Sequence, residues 1–315
     1  MSKTFLISNT SFGYKNNSPE WLEIMNNYFQ QSFIPFLKKH SKSGDELIHL
    51  GNLFYQNNIS IDTLNIVHNI FTEISTILPI KFMVGVKDKI DDNSINSYKI
   101  FKGIDNIKVI SDVLLEENTV YIPHIKNFYK QIKSINQEYL FINHDITESW
   151  NNHQVFNGYH NDYISNDKYT SVGSPYQLKK EDSGKKRGFV VIKFDGFKFQ
   201  KTLVENTFSP RFETIKVEKV EDINTLDPKY LEKNFVRLEI PKDIMEKYRT
   251  KIDVVLSQYT IQEIDLINPE EKDSPFEPLE DSDIKLMIQT VLKREENSEE
   301  LLEEFEKIVN LSKLS

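Results

Sequence analysis

The stretch VFNGYHNDYISNDKYTSVGSPYQLKKEDSGKKRGFVVIKFD, residues 155–195, carries the most ordered pattern in the chain. Val155 and Phe156 end a short apolar strand that runs into Gly158 and a loop holding His160. A β-like run from Lys168 stops at Gly173-Ser174-Pro175-Tyr176, where Gly and Pro break regular pairing. The charged loop Lys179–Lys186 follows, and Arg187-Gly188-Phe189 opens an apolar run to Asp195. Asp195-Gly196 is a hairpin-like turn, and two more β-like segments, FKFQKTLVE and RFETIKVEKV, come after it. This half of the chain reads as β-rich.

Upstream the pattern changes. In FLISNTSFGYK, residues 5–15, an apolar run stops at Ser8-Asn9-Thr10-Ser11, so a buried strand delivers short polar side chains into the loop at its C-terminal end. Open α/β sheets place their sites there. Ser18-Pro19-Glu20 opens a helix running towards Lys39, with Ser as N-cap and Pro at the first helical position. ELIHLGNLF supplies a second strand ending at Gly51, residues 60–77 carry Leu64, Val67, Ile70, Phe71 and Ile74 at helical spacing, and PIKFMVG is a third strand. Strand and helix in alternation imply parallel pairing through right-handed crossovers. EYLFINHD and HQVFNGYH are later strands, each ending in a loop with a histidine. The fold class is α/β.

Composition narrows the functions. The 315 residues carry a net charge of −9, which opposes indiscriminate coating of nucleic acid or membrane but leaves room for a basic groove. With no cysteine there is no disulfide, thiolate metal site or catalytic thiol. No apolar stretch approaches the roughly 18 residues of a membrane span, and a soluble, cytoplasmic protein is expected. Beyond a boundary near 222, residues 223–266 read as a small helix-strand-helix-strand unit. An acidic, proline-containing linker occupies 267–282, and 283–315 carry two amphipathic helices. Their apolar faces, with Met287 and Val291 on one and Leu302 and Phe305 on the other, need a partner or the chain's own core.

The order of these strand-end motifs resembles the calcineurin-like metallophosphoesterases, and more narrowly the SbcD-type nucleases and the small subunit of the T-even phage recombination endonuclease. Gly173-Ser174-Pro175-Tyr176 and Arg187-Gly188-Phe189 match the family's G-[ST]-P-[YW] and R-G-F. LIHLGNLF matches L-x-x-x-G-D-[IL]-F, IKFMVGVKD the strand leading into G-N-H-D, and FINHDI the strand leading into the lone histidine. The resemblance covers nearly the whole chain. It implies a four-layer α/β/β/α sandwich over 1–222, a capping domain over 223–266, and C-terminal helices that bind an SMC-like ATPase. If the gene is phage-borne, the location is the host cytoplasm.

Family members hold two Mn²⁺-type ions about 3.5–4 Å apart. Here the Asp and His of the first motif, D-x-H-x-G, correspond to Asn9 and Ser11, and the bridging Asp of the second to Asn52. The Asn and His of G-N-H-D fall on Val86 and Lys87, with Asp88 retained. The paired histidines of G-H-x-H fall on Tyr159 and Asn161, with His160 between them. Only the lone histidine, His144, keeps a ligand type. Neutral Asn52 brings no charge, Val86 cannot ligate, and the Lys87 ammonium opposes a nearby cation by about 4 kcal/mol at close range and effective ε near 20. No cofactor is therefore expected. A one-residue slip would leave His144 and His160 as a single-metal set.

Lys179, Lys180, Lys185, Lys186 and Arg187, with Lys87 and Lys89, form a candidate DNA-backbone surface. A solvated hairpin loop with its own Asp and Glu is the competing reading. The expected function is a catalytically degenerate, non-catalytic DNA-binding or scaffold subunit in complex with an SMC-like ATPase. DNA ends and a second copy of the chain are further partners. Two alternatives stand beside it: an active Mn²⁺-dependent nuclease of recombination or repair, and an interaction protein that no longer touches DNA.

Overall fold

A computed structural model describes residues 2–88, 97–116, 118–126, 138–146, 153–194, 199–219, 221–222, 233–256 and 261–267. Its strands are β1 (Lys3–Ile7), β2 (Glu46–His49), β3 (Ile80–Met83), β4 (Ile107–Ile110), β5 (Leu114–Glu116), β6 (Thr119–Ile122), β7 (Tyr139–Ile142) and β8 (Gln154–Asn157). They continue with β9 (Ile164–Ser165), β10 (Tyr169–Ser171), β11 (Gly188–Phe194), β12 (Phe199–Glu205), β13 (Phe212–Lys216), β14 (Phe235–Pro241) and β15 (Ile261–Ile267). The fold is mixed α/β.

One six-stranded sheet runs β12-β11-β1-β2-β3-β4 and another β5-β6-β7-β8-β10-β9. In the first, β1 to β4 are parallel, with β11 antiparallel to β1. Alternation along β1 explains how the sheet is covered. Phe5 and Ile7 join the core formed with Trp21, Met25, Val67 and Phe71, while Leu6 points the other way. There Leu6, Ile48, Met83 and Val190 pack with Tyr121, Phe141 and Phe156 of the second sheet. Val120, Leu140, Ile142 and Val155 form a further cluster on that sheet's other residues. Each such side chain, fully buried, contributes about 1.5–3 kcal/mol of transfer free energy.

The helix Pro19–Tyr28 starts where expected, Ser18 Oγ accepting from Trp21 N. It continues through a π-helical segment, Phe29–Phe33, into the helix Ile34–His40. Pro35 has no N–H to return to the preceding turn, and the widened segment just before it absorbs that loss. The helix Ile61–Ser75 is capped by Ser60 and buries Val67, Ile70, Phe71 and Ile74. Among the described residues no helix is long and apolar enough to cross a membrane.

The third sheet is β13-β14-β15, all parallel, with the helix Lys242–Leu256 crossing between β14 and β15. β13 therefore belongs with this later unit and not with the preceding β segments, so the division expected near residue 222 falls inside a sheet. Backbone pairing from Phe212–Phe235 to Lys216–Glu239 causes this. Lys89, the Asp195-Gly196 turn, the 267–282 linker beyond Ile267, and 283–315 with Met287, Val291, Leu302 and Phe305 lie outside the described residues.

Candidate functional site

The loops after β1, β2, β3 and β8 converge. Two glycines make this possible: a Cβ on Gly85 would lie 2.3 Å from Asn52 N, and one on Gly158 would lie 2.2 Å from Leu50 O. Asn9, Ser11 and Asn52 all adopt left-handed backbone, with φ of 50, 51 and 57. Asn tolerates that region better than most residues, so Ser11 is the more strained of the three positions.

The amides close on one another. Asn9 Nδ2 donates to Gly158 O and His160 O, both at 2.9 Å, and Asn52 Nδ2 donates to Asn9 Oδ1 at 2.8 Å. Asn52 Oδ1 in turn accepts from Lys87 N at 3.2 Å. Asp88 is buried and accepts from the backbone N–H of Asn52, Phe54 and Gly85 and from the Tyr98 hydroxyl, at 2.8–2.9 Å. Burial raises its pKa, and those donors oppose the rise. Its oxygens are thus spent holding three loops. The Ser11 hydroxyl and Asn143 Oδ1 are neutral oxygens buried without a hydrogen-bond partner. This donor set does not fit a pair of dications, which needs anionic bridging oxygen and imidazole. Among the described residues there is no group of three or more His, Asp or Glu placed to hold a metal ion.

Replacing Asn9 by alanine removes two donors and leaves a Cβ-bearing residue without polar compensation at φ 50. A loss of about 1–3 kcal/mol is expected in urea denaturation, with Asn9→Gly losing less because glycine relieves the backbone part.

The histidines gather one loop away. His144 Nε2 lies 3.0 Å from Pro123 O and 3.3 Å from Ile125 N, and its ring stacks on His124 at 4.9 Å. His160 turns from the amides, with Nε2 3.1 Å from Ile146 O and 3.6 Å from Asp145 Oδ1. The two imidazoles thus face different backbone carbonyls, Pro123 O and Ile146 O. Tyr159 lies between, its ring 6.5 Å from His124 and 5.2 Å from His160. Asn161 contributes its carbonyl, which accepts from Ser174 N and from Arg187. Val86 is exposed.

The basic residues divide into two groups. Arg187 is buried, with Nη2 2.6 Å from Asp182 and 2.9 Å from Asp162, and Lys185 Nζ is 3.0 Å from Asp162. Arg187 is thus neutralised inside the protein, whereas the Lys185–Asp162 pair lies at the surface. Lys179, Lys180 and Lys186 are exposed. Lys87 Nζ sits 4.5 Å from the ring centroid of Tyr55, itself partly exposed. Burial first lowers the Lys87 pKa, Asp88 pulls it back, and Lys179 lowers it further.

The G-S-P-Y residues turn out to be braces. Ser174 Oγ donates to Asn9 O at 3.2 Å, Tyr176 donates to Thr10 O, and Ser8 Oγ donates to Gly173 O at 2.8 Å. Sequence reasoning assigned no role to Asn143, which lies within FINHDI, to Tyr55, which follows LIHLGNLF, or to His124, which lies in no motif.

No family model matches this chain, and no curated protein matches it. A solved structure of a protein of unknown function, AQ665 from Aquifex aeolicus, is similar over 48% of this chain and 81% of that one, at 19% identity and a TM-score of 0.28. A likeness of that size carries no argument.

Proposed function

We propose that this protein is a catalytically degenerate relative of the SbcD-type nuclease subunit, a non-catalytic scaffold within a complex built on an SMC-like ATPase. The observation that carries the reading is the closed amide network. At the strand ends where the family places bridging carboxylates, Asn52 donates to the Asn9 side-chain oxygen and Asn9 donates to the backbone carbonyls of Gly158 and His160. Two six-stranded sheets with an apolar layer between them support the four-layer α/β/β/α arrangement. In this reading the β13-β14-β15 sheet serves as the capping domain, and Met287, Val291, Leu302 and Phe305 anchor the ATPase partner.

DNA enters as backbone only. Arg187 is buried against Asp182, and Lys87, Lys179, Lys180, Lys185 and Lys186 attract the phosphates. Binding is then sequence-blind, with a log–log salt slope of about −0.9 per phosphate neutralised on duplex DNA. Purified protein incubated with Mn²⁺ and single-stranded or hairpin DNA is expected to show no metal-stimulated cleavage. Cleavage abolished by His144→Ala would overturn this reading in favour of the nuclease. Absence of any DNA affinity at low salt, alone or with the ATPase partner, would leave the interaction protein.

A further inference from the structure

A ladder of rings joins the three-stranded sheet to the rest of the molecule. Trp21 lies near-parallel to Phe235 at 5.4 Å and to Phe212 at 6.4 Å, and Phe212 and Phe235 stack at 4.8 Å. Beside the ladder opens a cleft of about 440 Å³, within the roughly 300–1,000 Å³ range of small-molecule sites. Tyr14 and Lys15 line it from the loop after β1, Lys179 and Lys180 from the charged loop, and Phe212 and Arg237 from the third sheet. None of Asn9, Asn52 or Asp88 lines it.

Two chemistries meet there. Tyr14, Phe212 and Phe235 are only partly buried and present ring surface, while Lys15, Lys179 and Lys180 are exposed. Glu181 and Glu213 also line the cleft, so four cationic side chains stand against two carboxylates. Lys15 is held in place. Its backbone and that of Asn16 and Asn17 form a left-handed turn, and its Nζ lies 5.6 Å from the Trp21 ring centroid. Asn17 anchors the turn, donating from Nδ2 to Asn58 O and accepting at Oδ1 from Ser60 N. A ligand that fits carries about two negative charges and a flat heteroaromatic body with hydrogen-bond donors at its edge.

We propose that this cleft binds a nucleoside 5′-phosphate. The phosphate pairs with Lys15, Lys179 and Lys180, the base lies against the Tyr14 and Phe212 rings, and Glu213 accepts from a base or sugar donor. A free nucleotide and the phosphorylated end of a strand share that chemistry. The site stands on this cleft alone and holds whether or not the amide network replaces a metal centre.

The full-length protein is titrated with AMP, adenosine, inorganic phosphate and a 5′-phosphorylated ten-residue oligothymidylate, followed by calorimetry and by intrinsic tryptophan fluorescence. AMP is expected to bind at least about tenfold more tightly than adenosine or phosphate, because each supplies one half of the recognition. Lys179→Glu with Lys180→Glu, both at exposed positions, is expected to weaken AMP binding at least about tenfold while the melting temperature stays unchanged. The oligonucleotide competing with AMP assigns the site to strand ends, and AMP binding without oligonucleotide binding assigns it to free nucleotide. No AMP binding, AMP no tighter than adenosine or phosphate, or an unchanged affinity in the double variant overturns the proposal.

Discussion

Replacing Arg187 by alanine is expected to cost about 3–5 kcal/mol of stability, one of the largest single-site effects in this protein. The guanidinium is 3% exposed and faces Asp182, whose side chain is 6% exposed, at 2.6 Å. Removing the cation leaves a carboxylate buried beside no counter-charge, and that desolvation is the main part of the loss. Arg187→Lys is not expected to rescue it. One Nη reaches the Asn161 carbonyl while the other touches both Asp182 and Asp162, a planar fork that a single ammonium cannot reproduce. Asp162 is 45% exposed, and Asp162→Asn should cost under about 1 kcal/mol. Urea denaturation of the three variants separates these cases. An Arg187→Ala loss no larger than that of Asp162→Asn would show that Asp182 finds water, and that the charged loop is not pinned from within.

That arginine also shows where sequence reading stops. The strands that carry the site were legible because parallel strands buried on both faces leave continuous apolar runs, as in Phe5–Ile7 and Ile80–Met83. The convergence of Asn9, Asn52 and Asp88 was legible because each closes such a run or follows it within a few residues. β4, β5 and β6 were not foreseen. They are strands of three or four residues, too short for alternation to stand out, and none leads into a motif of the kind that marked β2, β3, β7 and β8. The burial of Arg187 was hidden for another reason. Its acids are 5 and 25 residues upstream, so a run of basic residues looked solvated until the fold brought Asp162 and Asp182 against it. The grouping of β13 with the third sheet escaped similarly, since which strand an extended segment pairs with is a long-range choice.

The second large effect is set by pH. His49 ends β2 in full burial, and its ring is fixed by two hydrogen bonds whose direction can be worked out. Thr10 Oγ1 donates its only proton to Leu53 O at 3.1 Å, so His49 Nε2–H donates to Thr10 Oγ1 at 2.9 Å. Nδ1 then accepts from Gly51 N at 3.2 Å, and the neutral ring has no acceptor free for a second proton. Burial pushes the pKa down from 6.5 to about 3. Between those values the unfolded chain binds a proton that the folded one refuses, so stability is complete above about pH 6.5 and falls as pH drops towards 3. The slope is about 1.4 kcal/mol per pH unit, and the whole window amounts to a few kcal/mol at most. Carboxylates titrate in the same range, so the measurement is a comparison. His49→Gln keeps a donor and an acceptor but does not ionise. Urea midpoints at pH 7, 5.5 and 4.5 should therefore fall more steeply for the parent protein, by about one proton's worth, although the variant starts lower. Parallel slopes would mean that His49 accepts its proton inside the fold, and that the hydrogen bonds to Thr10 and Gly51 yield at mildly acid pH.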